Sequence, residues 1–234
     1  MTAAPAIEIA GIAKNYAALR PLRIASLTVA AGERVALTGI DAAGAEVLVN
    51  LVTGASLPDA GEVRVFGRRT ADIPDGDEWL ASLDRFGIIS ERGVLLEGST
   101  VIQNLALPFT LAIDPIPEPT LLQSRAIGAE CGIDAEWMEK QMGGVPPAVR
   151  ARVHLARALA LGPQILLLEH PTANLPESER APFGLVVARV CDARGLAALV
   201  VTLDTAFAGA AAHRTLTLQP ATGQLVSARR RWWR

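Results

Sequence analysis

Residues 39–46 read Gly-Ile-Asp-Ala-Ala-Gly-Ala-Glu. They lie where a short apolar strand should feed a helix through a phosphate-binding loop. Such loops follow G-x-x-x-x-G-K-[ST]: backbone N–H groups cradle phosphates, the Lys supplies charge and the hydroxyl reaches a magnesium ion. The outer glycines stand at Gly39 and Gly44 with that spacing. The Lys position holds Ala45 and the hydroxyl position holds Glu46. The frame of a nucleotide site is kept while the groups that hold phosphate and metal are replaced. Glu46 sets a carboxylate where anionic phosphates would lie, a repulsion on the order of a kcal/mol or more at close range.

Around this loop the pattern is that of an α/β protein. Residues 6–12 and 22–29 carry alternating or β-branched apolar residues and predict strands. Ala31-Gly32-Glu33 predicts a turn, and Arg34–Thr38 a short buried strand. Glu46–Val52 has the apolar spacing of a helix. Glu46 also fits an acid placed at the helix N-terminus to favour the dipole. Pro58-Asp59-Ala60-Gly61 predicts a turn before the strand Glu62–Phe66. The stretch 99–142 is helical in pattern, interrupted by Pro115, Pro117 and Pro119. Arg150–Leu161 predicts a helix with Arg on one face, and Gln164–Leu168 a strand buried on both faces. A helix over 182–194, a buried strand over 196–203 and a hairpin through Ala221-Thr222-Gly223 complete the chain.

Composition narrows the function. At 234 residues the chain fits one domain. Half its residues are hydrophobic and mean hydropathy is +0.31. The longest uncharged stretch, Gly98–Ile113, contains Gln103, Asn104 and Pro108 and is too short to span a bilayer. Met-Thr-Ala-Ala-Pro lacks the basic and apolar regions of a signal peptide, so a cytosolic location is expected. A net charge of −2 gives no electrostatic support for nucleic-acid binding. Cys131 and Cys191 lack metal-ligand spacing and read as small buried apolar residues. Only Lys14 and Lys140 are lysines, so 20 of the 22 basic residues are Arg. Neither lysine lies near the loop in sequence. A replacement for the missing Lys has to come from elsewhere in the fold.

Several segments occur in a familiar order: Ala31-Gly32-Glu33-Arg34-Val35-Ala36-Leu37, Leu51-Val52-Thr53-Gly54, Pro58-Asp59-Ala60-Gly61-Glu62-Val63, Leu155-Ala156-Arg157-Ala158-Leu159, Leu166-Leu167-Leu168 and Pro171-Thr172-Ala173-Asn174-Leu175. Each alone is a weak signal. Together they resemble the ATP-binding cassette of ABC transporters over nearly the whole chain. The resemblance is strongest to the compact stand-alone cassettes that serve lipid, lipoprotein and cell-division complexes. It implies a P-loop NTPase-like (RecA-like) α/β core with an antiparallel β subdomain over 1–90 and 150–234, and an inserted helical subdomain over 91–149.

The resemblance also assigns roles, and most positions depart from them. Tyr16 stands for the aromatic that stacks on adenine, although such a tyrosine equally fits packing. The phosphate loop maps to Gly39, Asp41, Gly44, Ala45, Glu46 and Val47. Glu91 replaces the glutamine that reaches toward magnesium and the permease. The signature loop, Leu-Ser-Gly-Gly-Gln in the family, aligns with Val145, Pro146, Pro147, Ala148 and Val149. Glu169 replaces the metal-binding Asp, His170 the catalytic Glu, Pro176 the Asp after Asn174-Leu175, and Leu203 the switch His. Glu169 retains a carboxylate for metal, and the near-neutral pKa of an unperturbed histidine suits His170 to a base, though a structural role fits it too. Leu203 cannot hydrogen-bond phosphate. Pro146 and Pro147 lack N–H donors in a loop that works by donating them.

These departures imply a degenerate, non-catalytic cassette that binds ATP and Mg²⁺ weakly or not at all. It would lie at the inner face of the cell membrane, docked on a permease through Glu91–Phe109 and the helical subdomain and paired with a second cassette. Two alternatives stay open: a cassette that retains ATP binding or hydrolysis, and a soluble regulatory protein that sequesters a partner cassette. The basic aromatic tail, Arg229–Arg234 with Trp232 and Trp233, reads as a solvated terminus rather than a membrane anchor.

Overall fold

The computed structural model describes residues 4–16, 18–90 and 92–227. Glu91 and the basic aromatic tail lie outside the described residues.

Two sheets organise the chain. β1 (Ile7–Lys14), β2 (Leu22–Val29), β4 (Ala60–Val65) and β5 (Arg68–Arg69) form an antiparallel sheet in the order β2-β1-β4-β5. The second sheet has the order β10-β9-β3-β8-β7-β6. It comprises β3 (Arg34–Thr38), β6 (Phe86–Ile89), β7 (Ile165–Glu169), β8 (Ala197–Val201), β9 (Arg214–Gln219) and β10 (Gln224–Ser227). The pairs β9–β3, β3–β8, β8–β7 and β7–β6 are parallel, and β10 closes the edge antiparallel to β9.

The uninterrupted apolar runs of β3, β7 and β8 follow from burial on both faces. Alternation sorts their side chains into two cores. Ala36, Leu166, Leu168, Ala198 and Val200 pack with the helical side of the molecule. Val35, Leu37, Ile165, Leu167, Ala197, Leu199 and Val201 pack with the antiparallel sheet and with α1 (Ala42–Val52).

The helical side contains α3 (Val101–Ala106), α4 (Glu118–Glu130), α5 (Pro147–Leu159), α6 (Glu177–Arg194) and α7 (Thr205–Ala211). A capping box between Thr100 and Gln103 starts α3. Pro147 occupies the first position of α5, where a missing N–H costs little. Cys131 and Cys191 are buried here, and burial pushes both thiols up to about 12. No helix among the described residues is long and apolar enough to cross a membrane.

Four differences from the sequence reading have physical causes. α1 begins at Ala42, four residues before the expected Glu46, because Asp41 caps it and Ala-Ala are strong helix formers. α6 begins at Glu177 and runs through Pro182, five residues ahead of the expected start. Pro182 removes one donor without ending the helix, whose face bearing Phe183, Val187 and Val190 is held in the core. α2 (Gly76–Leu83), capped by Asp75, and α7, capped by Asp204, are too short to show a helical apolar period, α2 in a polar stretch and α7 in a run of small residues. α5 starts before residue 150 and so spans the expected subdomain boundary.

Candidate functional site

Parallel α/β sheets place ligand sites beyond the carboxyl ends of their strands. Here the ends of β3, β7 and β8 deliver the phosphate-loop residues, Glu169-His170 and Leu203 to one edge. Three cavities open there. One of about 250 Å³ is lined by Ala42, Ala43, Glu46, Arg92, Glu169 and His170. A second, of about 380 Å³, lies between Asp41 and Ala42 on one side and His170, Thr172, Arg180, Leu203 and Asp204 on the other. The third, about 500 Å³, joins Glu169 and His170 to Pro147 at the start of α5.

The loop itself differs from an open phosphate cradle. Gly39 turns the chain out of β3 with φ +81. Ala42 and Ala43, between the two glycines, are already helical. The Asp41 carboxylate accepts a hydrogen bond from the Gly44 N–H at 2.8 Å. That donor belongs to the set a phosphate would use, and it is satisfied from within the loop. Gly44 makes the contact possible: a β-carbon there would stand 3.0 Å from Asp41 Oδ1 and 2.9 Å from Ile40 Cγ2. The same point is 3.4 Å from the Tyr16 hydroxyl, so Tyr16 leans over the loop. Burial and the Asp41 carboxylate push its phenol pKa up. Ala45 is fully buried and packs with Ile40, Leu48 and Val49, while Val47 lies at the margin of that core.

Glu46 is not a helix N-terminal acid. Because α1 starts at Ala42, Glu46 falls outside its first turn. Its carboxylate instead receives Arg92 Nη1 at 2.5 Å. Arg92 Nη2 donates to both oxygens of Glu169, at 2.8 and 3.2 Å. Burial pushes the Glu169 carboxyl pKa up, against the opposing pull of Arg92. The arginine comes from the turn after β6, next to Glu91. Its clue in the sequence was the scarcity of lysine, which left arginine as the available cation.

His170 has an unusual backbone for a non-glycine residue, with φ +42, and its N–H donates to Val201 O at 2.8 Å. Its Nε2 is buried without a hydrogen-bond partner among the described residues. Leu203 is 64% exposed, so nothing among the described residues covers this apolar side chain at the rim. Asp204 caps α7 and also accepts from Thr172 Oγ1 at 3.1 Å and pairs with Arg180 at 3.5 Å.

The signature-loop equivalents are structural in their contacts. Val145 and Val149 are buried, Ala148 packs against the same core, and Pro146 caps α5. Only Pro147 reaches the cavity shared with Glu169 and His170. Behind it, His154 is partly buried near Arg157 and Arg150, and that burial drives its imidazole pKa down to about 4.

A nucleotide with its metal does not fit these residues as they stand. The loop amide is taken by Asp41, both carboxylates that face the metal position are taken by Arg92, and no lysine is at hand among the residues that line the site.

Comparison with known proteins places the chain in a family. The model of the family described as ABC transporter matches residues 22–173. The chain is 31% identical over 201 residues to the lipoprotein-releasing system ATP-binding protein LolD of Chromohalobacter salexigens, covering 85% of this chain and 82% of that protein. It is 31% identical over 212 residues to the macrolide export ATP-binding/permease protein MacB of Haemophilus ducreyi, covering 88% of this chain but 29% of that longer protein. The fold matches the ATP-binding cassette MJ0796, solved as a dimer bound to ADP and Pi, with a TM-score of 0.74, 21% identity and coverage of 94% and 96%. It also matches cbiO1 of Clostridium perfringens, part of the ABC transporter complex cbiONQ, with a TM-score of 0.79, 16% identity and coverage of 95% and 87%. With the family model spanning well over half its length and LolD matched along most of both chains, this protein belongs to the ABC transporter family and has the fold of its ATP-binding cassettes.

Proposed function

We propose that this chain is the cassette subunit of an ABC-type membrane transport complex and that its own nucleotide site is non-catalytic. The observation that carries the second half is the internal pairing of the site: Asp41 on the Gly44 amide, and Arg92 on Glu46 and Glu169. Each pair satisfies a group that nucleotide or metal would otherwise use. Ala45 and Leu203 add the loss of a cation and of a hydrogen-bond donor.

The docking half rests on the family and on a groove of about 470 Å³. Ile88, Leu107, Pro108 and Leu161 lie along it, between the edge strand β6 and the helical side. Ile88 and Leu161 are exposed there, and Val94, Leu96 and Leu111 add exposed apolar surface in the neighbouring segment. Apolar patches of this kind mark partner surfaces. The partner is a permease, with a second cassette completing the complex; the matched cbiO1 is part of the ABC transporter complex cbiONQ and MJ0796 was solved as a dimer.

A second reading, a cassette that keeps ATP binding, is favoured by a different observation. The matched relatives LolD and MacB carry the words ATP-binding in their names. ATPase measurement of the reconstituted complex separates the two. In cassette dimers each nucleotide lies between the loop of one subunit and the signature loop of the other. Val145–Val149 therefore closes the partner's site poorly. A slow native rate is expected, rising clearly when Val145–Val149 is replaced by Leu-Ser-Gly-Gly-Gln. A fast native rate that the replacement leaves unchanged contradicts the proposal.

A further inference from the structure

Magnesium is the ion that the family resemblance implies, and the residues at its position are already engaged. We infer that Arg92 is the built-in cation of this site, its guanidinium standing where a divalent metal would be held. Two separate elements converge on it, Glu46 from α1 and Glu169 from the end of β7, while Arg92 itself comes from the turn after β6. Divalent metals bind through free carboxylate lone pairs. Both oxygens of Glu169 face one guanidinium nitrogen, and Glu46 faces the other. A metal entering here would meet a fixed positive charge instead of two open carboxylates.

Burial makes the Glu169 half of the arrangement more than a surface ion pair, while Glu46 and Arg92 are each about half exposed. The Glu169 side chain is only 8% exposed, and a carboxylate in that position needs a counter-charge. The planar fork of arginine can serve two carboxylates at once, which a compact ammonium does less well. The segment that carries Arg92 is also tied down beyond it. Arg157 Nη1 donates to Val94 O at 2.6 Å, and Arg150 Nη1 donates to Glu97 at 2.9 Å and to Met142 O at 2.8 Å.

This inference deepens the proposed function and rests on it only for where nucleotide would lie. Its test therefore uses metal alone. Free Mn²⁺ is followed by electron paramagnetic resonance as it is added to the wild type, Arg92→Gln, Glu46→Gln and the double variant Arg92→Gln/Glu46→Gln, without nucleotide. The wild type is expected to take up no stoichiometric Mn²⁺ up to about 1 mM, near the weak end of protein sites. Arg92→Gln is expected to gain one Mn²⁺ at least tenfold more tightly, with a melting temperature that rises with Mn²⁺, and the added Glu46→Gln should abolish both. Stoichiometric binding by the wild type that Glu46→Gln removes overturns the inference, and that arm does not need the Arg92 variant to fold. A folded Arg92→Gln protein with no gain in Mn²⁺ binding overturns it equally.

Discussion

Ala45→Lys combined with Glu46→Ser, which rewrites the loop to the family pattern, is expected to lower stability by about 3 kcal/mol and to leave ATP turnover absent. Ala45 is fully buried among Ile40, Leu48 and Val49, so a lysine there must bury its charge or push the first turn of α1 apart. The Glu46→Ser change removes one of the two carboxylates that hold Arg92. The loop still carries Asp41 on its amide, and Leu203, His170 and the proline-rich start of α5 remain. Groups that act as a unit do not recover function one at a time. Denaturant unfolding and a turnover assay free of contaminating ATPase check both parts. Wild-type stability with steady hydrolysis would contradict the account.

The buried strands and the 221–223 hairpin turn were legible because continuous apolar runs and turn residues are local signals. The departure of Ala45 and Glu46 from the phosphate-loop pattern rests on spacing alone. The start of α1 was not legible: the phosphate-loop frame points to Glu46, while the Asp41 N-cap starts the helix at Ala42. Arg92 was not legible as a site residue. It lies 46 residues from Glu46 and 77 from Glu169 in sequence, and only the parallel order of β6, β7 and β3 around β8 brings the three together. The exposure of Leu203 and the burial of Val145 and Val149 depend on packing that one-dimensional patterns do not specify.

Gly87→Ala is expected to cost about 3 kcal/mol, because overpacking cannot be relieved where the obstacle is backbone. Gly87 sits in β6, and a β-carbon there would stand 2.3 Å from the Ala158 carbonyl oxygen of α5 and 3.1 Å from Leu166 Cδ1. Strand β6 leads into the segment that bears Arg92, and its contact with α5 lines the proposed docking groove. The substitution should therefore weaken both fold and docking. Gly209→Ala in α7 is the control: nothing among the described residues lies within 4 Å of its added carbon, and a neutral or slightly stabilising effect is expected. A shift in the denaturant midpoint for Gly87→Ala no larger than that of Gly209→Ala would show that β6 and α5 separate freely.

In the proposed arrangement the site is filled by the protein's own charges. Asp41 takes the place of phosphate at the loop amide, and Arg92 takes the place of metal between Glu46 and Glu169. Calorimetric titration of the isolated chain with Mg-ATP tests it most directly. No saturable heat is expected up to about 1 mM nucleotide, weaker than about −4 kcal/mol of binding free energy. A micromolar dissociation constant, about −8 kcal/mol, would contradict it and show that the glycine frame and Tyr16 hold nucleotide without the missing groups.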